Sequence, residues 1–289
     1  MPALAPVGPR SRAGTLLLRM VRQRLVIGVG LAIMGLVLAA ALAAPWLAPY
    51  DPLDIQPDER LHRPAPVHPF GTDEFGRDIM SRVLFGARLS LLVGGLVTAA
   101  ALGAGTVIGL AAGSSPRADR VIMRVMDGLM AFPDVLLAIG LMAVLGPRVS
   151  NVMVALTVVY TPRMARVVRA TALVAGESIF VDAARALGAS DARILLRHVL
   201  PNCLGPAVVQ ATFTFAYAVL TEAALGFLGV GAPPQLASWG TIISEGRLLV
   251  REASWLTILP GLAIVLTVVG LNLMGDGLRD YLDPRRPAV

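Results

Sequence analysis

The sequence predicts an all-α membrane protein with six transmembrane helices, on three observations. Of 289 residues, 56% are hydrophobic and only 15% are charged, whereas soluble proteins carry about 25% charged residues. A bilayer-spanning helix needs about 20 apolar residues in a row, and segments 25–50, 89–117 and 253–275 each contain such an uncharged run. The arginines fall between the apolar runs in a one-sided pattern, as topology demands.

Spans are predicted near residues 25–47, 89–113, 126–145, 151–171, 202–228 and 254–275. Residues 1–24 hold four prolines or glycines among the first nine positions and no sustained period, which predicts a flexible tail. Arg19, Arg22 and Arg24 before an apolar run imitate a secretory signal. The run exceeds the roughly 7–15 residues of a signal core, so 25–47 is expected to remain as an anchoring first helix. Segment 48–88 is an external loop, irregular at first because of Pro49, Pro52, Pro57, Pro64, Pro66 and Pro69. Over 71–88 its charges have a helix-compatible spacing and predict a short surface helix. Residues 89–275 form a core of five further spans with one long connector, 172–201. The fourth span has an uncharged stretch of only 14 residues, 149–162, and is extended through Arg163 and Arg166 on the premise that both guanidinium groups snorkel to the headgroups. Residues 276–289 are a second tail.

Six crossings place both tails on one side. Assigning 1–24, 114–127, 163–200 and 276–289 to the cytoplasm gives it 17 arginines against 8 outside, so both termini are expected to be cytoplasmic.

Composition also excludes several chemistries. All 25 basic residues are arginine, and without lysine the chain can form neither the P-loop contact to nucleotide phosphates nor a Schiff base. The net charge of +6 is dispersed between apolar spans rather than gathered on a face with aromatics, which argues against nucleic acid. His62 and His68 fall outside and His198 inside, so the three cannot meet at one metal or nucleophile, and no metal site is expected. Cys203 reads as a small buried side chain.

The informative segment is 177–202. It predicts two short helical pieces, one from about Glu177 to Leu187 ended by Gly188, the other from the N-cap Ser190 to His198 before Pro201. Ala183 and Ala184 leave a shallow surface, with Asp182 and Arg185 at its margin. Physics alone allows either a docking surface for another protein or an amphipathic connector lying on headgroups.

The stretch resembles the cytoplasmic EAA loop of ABC-importer permeases, whose pattern is Glu-Ala-Ala, three residues, Gly, nine residues, Ile, any residue, Leu-Pro. Asp182-Ala183-Ala184, Gly188 and Leu200-Pro201 keep that spacing; Asp182 replaces the glutamate and His198 stands at the isoleucine position. Phe70-Gly71-Thr72-Asp73, Gly76-Arg77-Asp78, Ser81-Arg82 and Gly86-Ala87-Arg88-Leu89-Ser90 resemble the C-type permease subunit of dipeptide, oligopeptide and nickel importers. Leu225-Gly226-Phe227-Leu228-Gly229, Pro233-Pro234, Ser238-Trp239-Gly240 and Gly275-Asp276-Gly277-Leu278-Arg279-Asp280 with Leu282-Asp283-Pro284 are similar to the same subfamily. The resemblance implies a type I importer permease fold and a bacterial inner-membrane subunit with no cofactor of its own. It also implies a heterodimer with a second permease subunit, two ATPase subunits or domains that bind ATP and Mg, and an external substrate-binding protein. Asp182, Ala183, Ala184, Arg185, Gly188, Leu200 and Pro201 would then couple to the ATPase. The substrates it implies are peptides, with nickel chelates or glutathione as alternatives.

Three further features are noted. Gly105, Gly109 and Gly113 form a small-xxx-small ridge suited to close helix packing or to a hinge. Asp134 and Glu222, costly in lipid, either line the substrate route or make interhelical contacts. Asp73, Arg77, Asp78 and Arg82 either help receive the binding protein or brace the first two spans. An ion-coupled secondary transporter would show clustered buried charges and broken helices in both halves, and an intramembrane enzyme would need a catalytic pair; neither pattern is present in the sequence.

Overall fold

The computed structural model describes residues 9–233 and 235–282, and no strand occurs among them beyond one isolated bridge, Thr72 to Asp78. The helices are α1 (Pro9–Leu42), α2 (Ala44–Leu47), α3 (Ile79–Ser114), α4 (Pro116–Met130), α5 (Asp134–Leu145), α6 (Val149–Gly176), α7 (Ile179–Ala186), α8 (Asp191–Ile194), α9 (Leu200–Phe227), α10 (Trp239–Gly246) and α11 (Trp255–Leu282). Their ends follow from local chemistry. Asp78 caps α3, its Oδ2 accepting from Ser81 N at 2.7 Å and Ser81 Oγ at 2.8 Å. Ser238 caps α10 in a reciprocal capping box with Thr241.

Four stretches are long and apolar enough to cross a membrane: 25–42 within α1, α3, Asp191–Phe227 and α11. The pair α4 and α5 adds a fifth if counted as one crossing, bent by 92°. The straight third span expected over 126–145 is thus corrected. Pro133 lacks an N–H and disfavours helical geometry at Phe132, so α4 stops and α5 restarts at Asp134. The surface helix expected over 71–88 is corrected too: 71–78 is a turn, and from Ile79 the chain is the first part of α3. Residues 9–24, expected as a flexible tail, continue α1 backwards, because after Pro9, which a helix tolerates at its first position, only Gly14 interrupts a run rich in leucine and arginine, both good helix formers. The second tail is helical to Leu282, and 283–289 lie outside the described residues.

Pro201 does not end the connector. The helix passes through it by widening into a π-turn, Leu195–Val199, in which Leu200 N donates to Leu195 O. That extra residue gives the proline ring room against the preceding carbonyls. Asp191 to Phe227 is consequently a single long rod.

α3 packs along α6 and α9, α1 lies on α11, and α10 wedges between α3, α9 and α11. The glycine ridge sits at the first of these contacts. A Cβ on Gly105 would lie 2.5 Å from Met164 Cβ, one on Gly109 2.6 Å from Ala165 O and one on Gly113 2.9 Å from Ala172 Cβ. The ridge therefore packs against α6 of the same chain. Gly109→Leu is expected to destabilise the fold by about 1–3 kcal/mol through overpacking. A lowered thermal midpoint of the purified protein, with no such change for Gly103→Leu where the space is open, checks it.

Candidate functional site

Between α6 and α9, α7 and α8 form a short two-helix element. Val181 and Ile194 are buried against Ala172, Ala175 and Cys203, which fixes the element to the ends of the two long helices. Gly188 (φ +82°) ends α7: Ala189 N donates to Ala184 O and Gly188 N to Arg185 O, both at 3.0 Å, a left-handed closure that suits glycine. Ser190 precedes α8 as expected but makes no side-chain cap bond. The outward face is apolar. Ile179 is 87% and Leu187 89% exposed, Leu196 is exposed as well, and Asp182 and Arg185 form an exposed pair at 3.4 Å. Ala183 is exposed, Ala184 and Leu200 are half-buried, and Pro201 is exposed. The element thus offers two large apolar side chains and a charged margin on a platform tied to two long helices.

A second constellation lies along α6. Arg163, Arg166 and Arg169, one every three residues, pair with Asp134, Asp127 and Asp119 respectively. The order of the aspartates is reversed, as antiparallel neighbours require. Arg169 grips Asp119 through Nε and Nη2, the latter at 2.6 Å; Arg166 Nη2 meets Asp127 at 2.6 Å; Arg163 Nη2 meets both Asp134 oxygens, at 2.9 and 3.1 Å. The premise that Arg163 and Arg166 snorkel from a helix end is therefore corrected, because α6 continues to Gly176 and their charges are met by carboxylates. An unpaired charge at the centre of a membrane helix costs about 2.5–3.5 kcal/mol, and pairing lowers that cost.

Asp134 opens α5 and is half-buried, whereas Glu222 is buried between α3 and α9, its Oε2 accepting from Ser90 Oγ at 2.8 Å. Glu222 thus makes an interhelical contact. The carboxylate of Asp134 meets Arg163, whose guanidinium lies 6.0 Å from the Tyr160 ring and 5.7 Å from the Tyr217 ring. Cys203 is buried, with Sγ 3.8 Å from Val168 O.

Asp73, Arg77, Asp78 and Arg82 do not project outward. Arg82 Nη1 donates to Asp73 Oδ2 at 2.6 Å and to Glu245 Oε2 at 2.5 Å; Arg77 Nε reaches Asp73 at 2.6 Å and Arg77 Nη2 reaches Glu245 at 2.8 Å. Two guanidinium groups and two carboxylates neutralise one another, with the Arg82 side chain only 1% exposed. Asp78, besides capping α3, bonds His68 Nδ1 at 2.9 Å, which ties the proline-rich loop to the helix. These four residues act as a brace between that loop, α3 and α10, and their charge is not available to an approaching protein. No group of three or more His, Cys, Asp or Glu side chains able to hold a metal occurs among the described residues.

Sequence reasoning named Asp134 without its partner and missed Glu245, Asp119, Asp127 and the exposed Ile179 and Leu187. The last two had a visible signal, large apolar residues at the ends of a short helix that carries Asp182 and Arg185. The pairings had none, since their members lie 29 to 168 residues apart.

The family described as binding-protein-dependent transport system inner membrane component matches residues 105–286, and the N-terminal TM domain of oligopeptide transport permease C matches residues 16–64. The chain is 52% identical over 269 residues to a putative peptide transport system permease protein of Brucella suis, covering 92% of this chain and 90% of the relative. It is 46% identical over 264 residues to the dipeptide transport system permease protein DppC of Escherichia coli, covering 89% and 88%. It is 44% identical over 258 residues to the protein of the same name in Alkalihalophilus pseudofirmus, covering 89% and 85%. Among solved structures, an inward-facing form of the MetNI methionine ABC transporter aligns with TM-score 0.58 at 20% identity over 70% of this chain and 97% of the other, a likeness of fold. The chain belongs to the binding-protein-dependent transport system inner membrane component family.

Proposed function

We propose that the chain is a permease subunit of an ATP-driven peptide importer in a bacterial inner membrane, forming half of the substrate pathway. The observation that carries the reading is the α7–α8 element: a two-helix platform with an exposed apolar face, rigidly continuous with a membrane-length rod. A chain without lysine cannot build a P-loop of its own, so in this reading a partner binds the ATP, and such a platform passes the partner's closure to the pore as rigid-body motion. The peptide substrate is inferred from the relatives, which are named as peptide and dipeptide transport system permeases.

In this reading α1, α3, the bent α4–α5 pair, α6, α9 and α11 make six crossings, and α6 crosses because its arginines are paired. Both termini and α7–α8 face the cytoplasm, where two ATPase subunits bind ATP and Mg. The 48–78 loop and α10 face a substrate-binding protein, and a second permease completes the pathway. Asp182, Ala183, Ala184, Arg185, Gly188, Leu200 and Pro201 belong to the ATPase seat, and Asp134 lines the route. Glu222 and the Asp73–Arg77–Asp78–Arg82 group hold the helices in place. Deleting the gene and measuring accumulation of a labelled dipeptide tests the substrate. Loss of accumulation, restored by the intact gene, is expected; unchanged accumulation in a strain with no second peptide permease contradicts it.

A further inference from the structure

We propose that Arg163 and Asp134 together form a station for zwitterionic peptides inside the pathway, the peptide carboxylate meeting Arg163 and the peptide ammonium meeting Asp134. The proposal rests on the peptide-permease reading above and deepens it.

Arg163 is the fifteenth of the 28 residues of α6, about 21 Å along the helix from Val149 at 1.5 Å per residue, and so lies at hydrocarbon depth if α6 crosses the bilayer. Its side chain is nevertheless 36% exposed and that of Asp134 29% exposed. Charged groups at that depth are placed towards water or another protein and away from lipid. The pair is also incompletely closed. One nitrogen, Nη2, serves both Asp134 oxygens, while Nε and Nη1 make no hydrogen bond among the described residues. A guanidinium has five N–H donors in a fork that matches a carboxylate, so Arg163 keeps the capacity to take a second one. Arg169, by contrast, applies Nε and Nη2 to the two oxygens of Asp119 and is closed on its partner.

The surroundings hold the open donor in place. The rings of Tyr160 and Tyr217 flank the guanidinium at 6.0 and 5.7 Å, within cation–π range. Tyr160 Oη is fixed 2.7 Å from Thr221 Oγ1, and Tyr217 is half-exposed beside the pair. When empty, the two charges neutralise each other. With a zwitterion inserted, each charge exchanges one opposite partner for another, so the site stays neutral in both states. A solute bearing only one of the two charges leaves either Arg163 or Asp134 uncompensated at membrane depth. The station therefore favours peptides with both ends free.

The test uses the assembled transporter in proteoliposomes, with dipeptides whose free-acid and C-terminally amidated forms both saturate the binding protein. Arg163→Gln is expected to lower uptake of the free acid about 10-fold relative to the amide, the loss of a charge-assisted contact, with Arg163→Lys restoring part of the difference. Asp134→Asn is expected to do the same for free-amine over N-acetylated peptides. Equal losses for both forms assign the pair a purely structural role and overturn the station. A second measurement needs no variant. In the unaltered complex without binding protein, millimolar free-acid dipeptide should protect Arg163 from phenylglyoxal, read by mass spectrometry, and the amide should not. Absent labelling, or labelling indifferent to peptide, overturns the station. A wild-type complex that takes up no peptide of either form overturns the peptide reading itself, whereas peptide uptake without the acid–amide difference overturns the station alone.

Discussion

Replacing Ile179 and Leu187 together by glutamate is expected to abolish ATP-driven uptake while leaving the permease folded. Both side chains stand almost wholly exposed on the outward face of the α7–α8 element, so no packing inside the chain is lost. Covering an aliphatic side chain of this size is worth about 1.5–3 kcal/mol, and two of them supply about 3–6 kcal/mol of a docking interface. Losing that much, and placing two carboxylates at the contact, lowers affinity by a factor of about 100 or more. Co-purification of the ATPase with the tagged chain should fail, and the thermal midpoint of the isolated chain should hold. Gly188→Val is expected to act in the same direction with smaller effect, because a β-branched residue at φ +82° costs about 1–2 kcal/mol and tilts the platform. Retention of the ATPase and of uptake by the double variant would show that the apolar face is not the seat.

The second large effect is expected at the brace. Arg82→Met removes one of two buried guanidinium groups and leaves Asp73 and Glu245 sharing only Arg77. Breaking a buried pair in this way costs about 3–5 kcal/mol, since the stranded carboxylate is no longer compensated. Adding Glu245→Leu restores the charge balance, with Arg77 and Asp73 still paired at 2.6 Å, and should recover most of the loss. Unfolding midpoints of the single and double variants measure this directly. A double variant less stable than Arg82→Met alone would contradict charge compensation as the cause.

Much of this architecture was legible in the sequence because its signals are local. Uncharged runs of membrane length mark α1, α3 and α11, Gly188 marks the end of α7, and the Asp182-Ala183-Ala184 to Pro201 spacing marks the connector. Local signals also misled. Pro201 predicts a stop, but a π-turn carries the helix through it, and Pro133 breaks a run whose composition looks continuous. The partners in the brace and in the α6 ladder were illegible, because a charge in an apolar setting signals only that a partner exists. Which carboxylate answers Arg82 or Arg163 depends on the packing of α10 on α3 and of α4–α5 on α6. For the same reason Asp73 and Arg77, charged residues in a proline-rich loop, read either as docking groups or as a brace until Glu245 is seen beside them.

In the proposed function this chain is a lever moved by an engine on other subunits. The most direct measurement is peptide accumulation in proteoliposomes holding either the purified chain alone or the complex with its second permease, ATPases and binding protein. Accumulation is expected only in the complex and only while ATP is hydrolysed on the face that carries α7 and α8. Accumulation by the chain alone down a proton or sodium gradient would contradict the account.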